Sequence, residues 1–144
     1  MDGKIKFHID QFSIQGGNWQ QRPLHLGLLD APQKLRRARG DFYYLIEPLR
    51  HSQIATLCPE LATAMSDAYY QIAGSITRGL RAALIAANEL LFDRNLRADG
   101  EHRALAGLCG VVLRDNEVYI GQLGPALVSW THEGALQRFP ADSI

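Results

Sequence analysis

Three residues have the chemistry of a small metal site: His25, Glu47 and His51. Two imidazoles and a carboxylate can hold a divalent ion and leave a position open for water. Glu47 and His51 are four apart and would share a helical face, but Pro48 between them opposes a continuous helix. The three converge only if the segments carrying His25 and Glu47 are neighbouring strands. The alternative is histidines at the surface or at strand ends. Cys58 and Cys109 are too few and too isolated for a disulfide framework or a thiolate zinc site. Cys109 lies in an apolar run, where burial raises a thiol pKa and blunts the nucleophile. No nucleophile-elbow or phosphate-cradling glycine motif is present.

A second constellation is basic. The stretch "DAPQKLRRARGD" carries Lys34, Arg36, Arg37 and Arg39, which could grip the phosphates of a phosphopeptide or a nucleic acid. The competing reading, which we favour, is a solvated connection between strands. Lys+Arg and Asp+Glu are equal at 15 each, so the net charge gives no long-range pull on nucleic acid or an anionic membrane.

The elements that would position these residues follow from periodicity. "IKFHI" alternates Ile5, Phe7 and Ile9 with polar residues and reads as a half-buried strand. Phe12 and Ile14 continue the pattern out of phase before the turn "QGGNW". "LHLGLL" and the aromatic, β-branched "FYYLIE" are two further strands. Pro59 and Glu60 suit the first turn of a helix whose apolar face is Leu61, Met65, Ala68, Tyr69 and Ile72. Gly74 stops it, and Ser75 caps a second helix with Ile76, Leu80, Ala83, Leu84, Ala87 and Leu91 on one stripe, running to about Leu96. After Gly100 the period falls to two. "ALAGLCGVVL" is a strand buried on both faces, "RDNE" a turn, "VYIGQL" its return, Gly124-Pro125 a break, and "ALVSW" and "ALQRF" the last strands. The order predicts an α+β fold, an antiparallel sheet or sheets with two consecutive long helices packed on one face. The length fits about one domain, residues 1–144. The charged N-terminus and the lack of a long apolar run predict a cytoplasmic protein with no membrane contact.

This order resembles the N-terminal half of the PPM-type metal-dependent protein serine/threonine phosphatases. In that family a strand bearing an Asp-Gly-x-Gly-Gly metal motif precedes two long helices, the second with an Ala-Asn pair. A further strand, a hairpin and a Gly-Asp-Ser-Arg strand end follow. Here "FYYLIEPLRHS" precedes two helices with Ala87-Asn88 in the second, and "LAGLCGVVL", "RDNE" and "VYIGQLGPALVSWTHEG" follow. The resemblance covers roughly residues 20 to 140 and rests on order and spacing, because no motif is intact.

The resemblance places the family's first metal-binding aspartate at Glu47 and the glycine after it at Pro48, with Leu49 to Ser52 replacing the trailing glycines. Arg22-Pro23-Leu24 offers no carboxylate where the family has an early acidic pair. Gly124-Pro125-Ala126-Leu127 stands in place of Gly-Asp-Ser-Arg, and the late aspartates belong to a C-terminal half that this chain lacks. Two divalent ions need several carboxylates, and one glutamate cannot supply them. The expectation is a catalytically inactive phosphatase-like domain, a truncated or half domain, acting as a protein-binding or regulatory module without a cofactor. The unpartnered strand edges of such a half domain predict a homodimer or larger homo-oligomer. Two alternatives stand beside it: a Mg²⁺- or Mn²⁺-dependent phosphatase fragment completed by another subunit or segment, and a purely structural assembly domain.

Overall fold

The computed structural model describes residue 3 and residues 5–48 and 54–139. Its elements are β1 (Ser13–Gln15), β2 (Asn18–Gln20), β3 (Leu26–Leu28), α1 (Gln33–Arg39), β4 (Asp41–Pro48), α2 (Ile54–Gln71), α3 (Ile76–Arg97), β5 (Ala106–Arg114), β6 (Glu117–Leu123), β7 (Val128–His132) and β8 (Ala135–Phe139), with a 3₁₀ turn at Gly100–His102. The fold is α+β, as the order of elements predicts.

The central sheet is antiparallel in the order β3-β4-β5-β6, and β1-β2 and β7-β8 form two separate hairpins. β4 pairs with β5 along its whole length, from Asp41 opposite Leu113 to Pro48 opposite Ala106. Phe42 and Ile46 alternate into the core, the period-two burial expected of "FYYLIE". Both long helices cover the same side of the sheet as Phe42, Leu108 and Val112, and one apolar cluster fills the space between.

That packing depends on two glycines. Gly110 and Gly121 are directly opposite on β5 and β6. A Cβ on Gly110 would lie 2.9 Å from Leu80 Cδ1, and one on Gly121 would lie 2.8 Å from Leu84 Cδ1. The bare backbone is the floor on which α3 seats its two leucines.

The joint between α1 and β4 is fastened by adjacent tyrosines of α2. Tyr69 Oη donates to the Arg39 carbonyl and Tyr70 Oη to the Gly40 carbonyl at 2.9 Å. Their rings stand edge to face, centroids 4.8 Å apart, and the Tyr69 ring meets Phe42 at 5.0 Å in the same manner. Tyr69 is therefore a core residue as its spacing implies, and Tyr70 is buried beside it, each with its hydroxyl satisfied. Ser75 caps α3 by accepting from the Arg78 N–H at 3.1 Å, and Asn88 is exposed.

Four expectations need correction. Residues 5–9 form no strand, and Ile5, Phe7 and Ile9 are all exposed. Alternation says only that a half-buried surface would suit them, and no strand edge is paired with them. "DAPQKLRRARGD" holds a helix, entered after Pro32 and left at Gly40 with φ 89°, where a solvated connection was expected. Its charge run hid that bracket of Pro before and Gly after. α2 begins at Ile54, not near Pro59, which sits inside it. An interior proline costs about 3 kcal/mol. Leu57 and Cys58, both fully buried, offset this, since burying a leucine alone contributes about 1.5–3 kcal/mol. The same helix ends at Gln71, leaving Ile72 just beyond it and half-buried. Finally, the last two strands do not join the antiparallel sheet that carries β5 and β6. Gly124 (φ 70°) and Pro125 end β6, and β7-β8 pairs only with itself. Its turn has φ 50° at Glu133 and 79° at Gly134, as a tight hairpin requires.

Candidate interaction surface

The structure places His25 and Glu47 apart from any metal-holding cluster among the described residues. His25 does precede a strand that neighbours the one carrying Glu47, and its carbonyl accepts from the Ile46 N–H at 2.7 Å. Its ring, however, is engaged at both nitrogens. Gln15 Nε2 lies 3.3 Å from Nδ1, and Ser13 Oγ lies 3.3 Å from Nε2. An amide nitrogen can only donate, so Nδ1 accepts and Nε2 carries the proton toward Ser13. Glu47 is exposed near the end of β4, opposite Gly107. His51 lies outside the described residues. Among the described residues no group of three His, Cys, Asp or Glu side chains could hold a metal ion.

The basic candidates lie on α1 and divide by role. Arg36 Nε donates to Asp41 Oδ1 at 2.9 Å, a bond that raises the Arg36 pKa. Arg39 reaches the Gly74 carbonyl at 3.1 Å and the Ser75 carbonyl at 3.5 Å, with its guanidinium 5.0 Å from the Tyr69 ring centroid. It bridges α1 to the α2-α3 corner through the carbonyls of Gly74 and of Ser75, the N-cap of α3. Lys34 and Arg37 are exposed. Arg36, Arg37 and Arg114 line a cleft of about 280 Å³ together with Asp41 and Asp115, so acids of the same cleft offset much of its positive charge.

Both cysteines are buried. Desolvation pushes Cys109 up to about 11 and raises Cys58 as well, so both stay as thiols at neutral pH. Just after β6, Ala126 is fully buried close to Gly107, and a Cβ on Gly107 would lie 3.0 Å from the Ala126 nitrogen.

The surface with an unmet requirement is the side of the sheet that α2 and α3 do not cover. Strand side chains alternate, so the residues between those of the core point away from the helices. On β4 these are Tyr43 and Leu45, on β5 Cys109, Val111 and Leu113, and on β6 Val118 and Ile120. β3 adds Leu26 opposite Leu45 and Leu28 opposite Tyr43. These are apolar, and Asp41, Glu47 and Gln122 share the same face toward the strand ends. Cys109 and Ala126 are buried here, yet neither belongs to the helix-side core. The other apolar residues are half-buried, and Val118 is 51% exposed.

A loose cover is the N-terminal segment. Phe7, Ile9 and Phe12 overlie the sheet and leave a space of about 520 Å³ against Leu26, Tyr43, Val111 and Val118. Asn116, in the β5-β6 turn, fastens the segment by accepting from the Ile5 N–H and donating to the Gly3 carbonyl, both at 2.9 Å. Sequence reasoning did not single out this surface as functional. Its signal was the unbroken apolar run "ALAGLCGVVL", which is apolar on both faces of one strand.

No family model, curated protein or solved structure matches this chain.

Proposed function

We propose that the chain is a non-catalytic protein-binding or regulatory module that assembles with another protein through the helix-free side of its sheet. The observation that carries this reading is the two-sided apolar sheet covered by helices on one side only. An exposed apolar patch framed by polar residues marks an interaction surface, and here it is built on the central four-stranded sheet. The chemistry of the candidate residues supports the non-catalytic part. His25 has both ring nitrogens engaged, both thiols are raised, and two of the four α1 cations hold the chain's own backbone and Asp41.

Within this reading the chain is a degenerate relative of the PPM phosphatases. The succession of a strand, two helices on one face and an antiparallel strand pair supports it, as does a proline turn at Gly124-Pro125 where the family carries an acid. We place it in the cytoplasm. No helix among the described residues is long and apolar enough to cross a membrane.

The test is calorimetric titration with Mn²⁺ and Mg²⁺ alongside hydrolysis of an aryl phosphate. The reading predicts neither a binding isotherm nor turnover above buffer. Metal-dependent turnover that survives repurification would overturn it.

A further inference from the structure

We infer that the space between the N-terminal segment and the sheet is a binding site for a single-chain amphipathic carboxylate, a fatty acid in class. Its tail lies under the segment and its head at the arginines beyond Leu113. The inference goes beyond the protein-binding reading and does not depend on it.

The tail site is long, apolar and roofed. Leu26 on β3, Leu45 on β4, Val111 on β5 and Val118 on β6 all line it. It therefore crosses all four strands, three spacings of about 4.8 Å, or about 14 Å end to end. Phe7, Ile9 and Phe12 of the N-terminal segment form the roof. Apart from Asp10, Gln11 and two tyrosines, no polar side chain lines the space, and Asp10 and Gln11 are exposed. Small-molecule sites are apolar in the same way, with volumes of roughly 300–1,000 Å³. The volume here is about 520 Å³. An elongated apolar space of this kind fits an alkyl chain.

The head site is the basic cleft beside it. Leu113 lines both the apolar space and the cleft of about 280 Å³, so the two adjoin there. Burial raises the pKa of the Tyr43 phenol, Asp41 adds to the rise and Arg36 opposes it. Tyr43, which lines the apolar space, is thus within electrostatic reach of the ion pair in the cleft.

Charge selects the head. In the cleft the guanidiniums of Arg36, Arg37 and Arg114 face the carboxylates of Asp41 and Asp115, three against two, which leaves one positive charge. Arg36 engages Asp41 through Nε and keeps its terminal nitrogens, while Arg114 and Asp115 are 4.0 Å apart. Arg37 is exposed, with no acid in ion-pair range among the described residues. One surplus positive charge suits a singly charged carboxylate better than a dianionic phosphate.

Calorimetric titration of the whole chain with laurate, octanoate and dodecylamine, each below its micellar concentration, tests the inference. The expected result is one laurate per chain. Octanoate, four methylenes shorter, should bind about a hundredfold more weakly or worse. Dodecylamine, with the same tail and a cationic head, should bind about tenfold more weakly than laurate. Val118→Asp puts a charge in the floor and Arg37→Glu reverses the unpaired cation, and each should weaken laurate about tenfold or more. Phe92→Asp, on the exposed face of α3, should leave it unchanged. Val118 is half in solvent and Arg37 is exposed, so both variants keep the fold, which a thermal melt verifies. The series of ligands tests the unaltered chain in any case. No laurate binding, several laurates per chain, or a loss with Phe92→Asp would overturn the inference. So would octanoate or dodecylamine binding as tightly as laurate, or full laurate affinity in Val118→Asp or Arg37→Glu.

Discussion

Val111 and Ile120 lie opposite each other on β5 and β6, both half-buried, on the side of the sheet that no helix covers. One residue earlier on β5 and one later on β6, Gly110 and Gly121 form the next pair and face α3. The two pairs show how the sheet is divided. On the helix side, side chains are removed so that leucines can approach the backbone. On the other side, apolar side chains are retained with only a loose segment over them.

The glycine floor predicts a coupled cost. Gly121→Ala forces its Cβ against Leu84 and Leu80 and should destabilise by about 1–3 kcal/mol. Leu84→Ala should cost about 2–5 kcal/mol. The double variant should lose less than the sum, because the smaller side chain on α3 relieves the clash. Chemical denaturation of all four proteins measures this cycle, and strict additivity would show that Leu84 does not seat on Gly121.

The N-terminal segment should be easily released. Asn116 holds it by two exposed hydrogen bonds, and such bonds contribute about 0.5–1.5 kcal/mol each. Asn116→Ala should therefore uncover the Tyr43–Val118 surface with little change in melting temperature. Increased fluorescence of a hydrophobic dye is the expected signal. An unchanged signal would mean that other contacts hold the segment in place.

Stability should fall at alkaline pH. Burial raises Tyr69 and Tyr70 to about 12 and Cys109 to about 11, against ordinary values of 10.0 and 9.0. As pH rises through this window the unfolded chain loses these protons before the folded one does. The stability they contribute is whole below about pH 9 and is lost between about pH 9 and 12. Denaturation midpoints measured across that range should decline, and Tyr70→Phe should flatten part of the decline. A midpoint that stays level to pH 12 would contradict the buried, protonated tyrosines.

Much of the fold was legible because long elements have strong periodicity. The stripe from Ile76 to Leu91, the Ser75 cap and the Gly124-Pro125 break all stand where the sequence puts them. The failures are where a local pattern had two outcomes. Lys34 to Arg39 has the charge of a loop and the bracketing of a helix. Ile5 to Ile9 has the rhythm of a strand without a paired edge. Pro59 marks a helix start unless the preceding residues, here Leu57 and Cys58, are buried well enough to extend the helix past it. The interaction surface was half legible. Apolar residues at both parities of β5 show that the strand wants two covered faces, but only the three-dimensional arrangement shows which face the helices leave open.

The binding surface is tested most directly by hydroxyl-radical footprinting with and without laurate. We predict that Tyr43, Leu45 and Val118 lose reactivity when laurate is added, while Phe92 and Leu96 on α3 keep theirs. Protection of Phe92 and Leu96, or unchanged reactivity of all five, would contradict a binding surface on the helix-free side of the sheet.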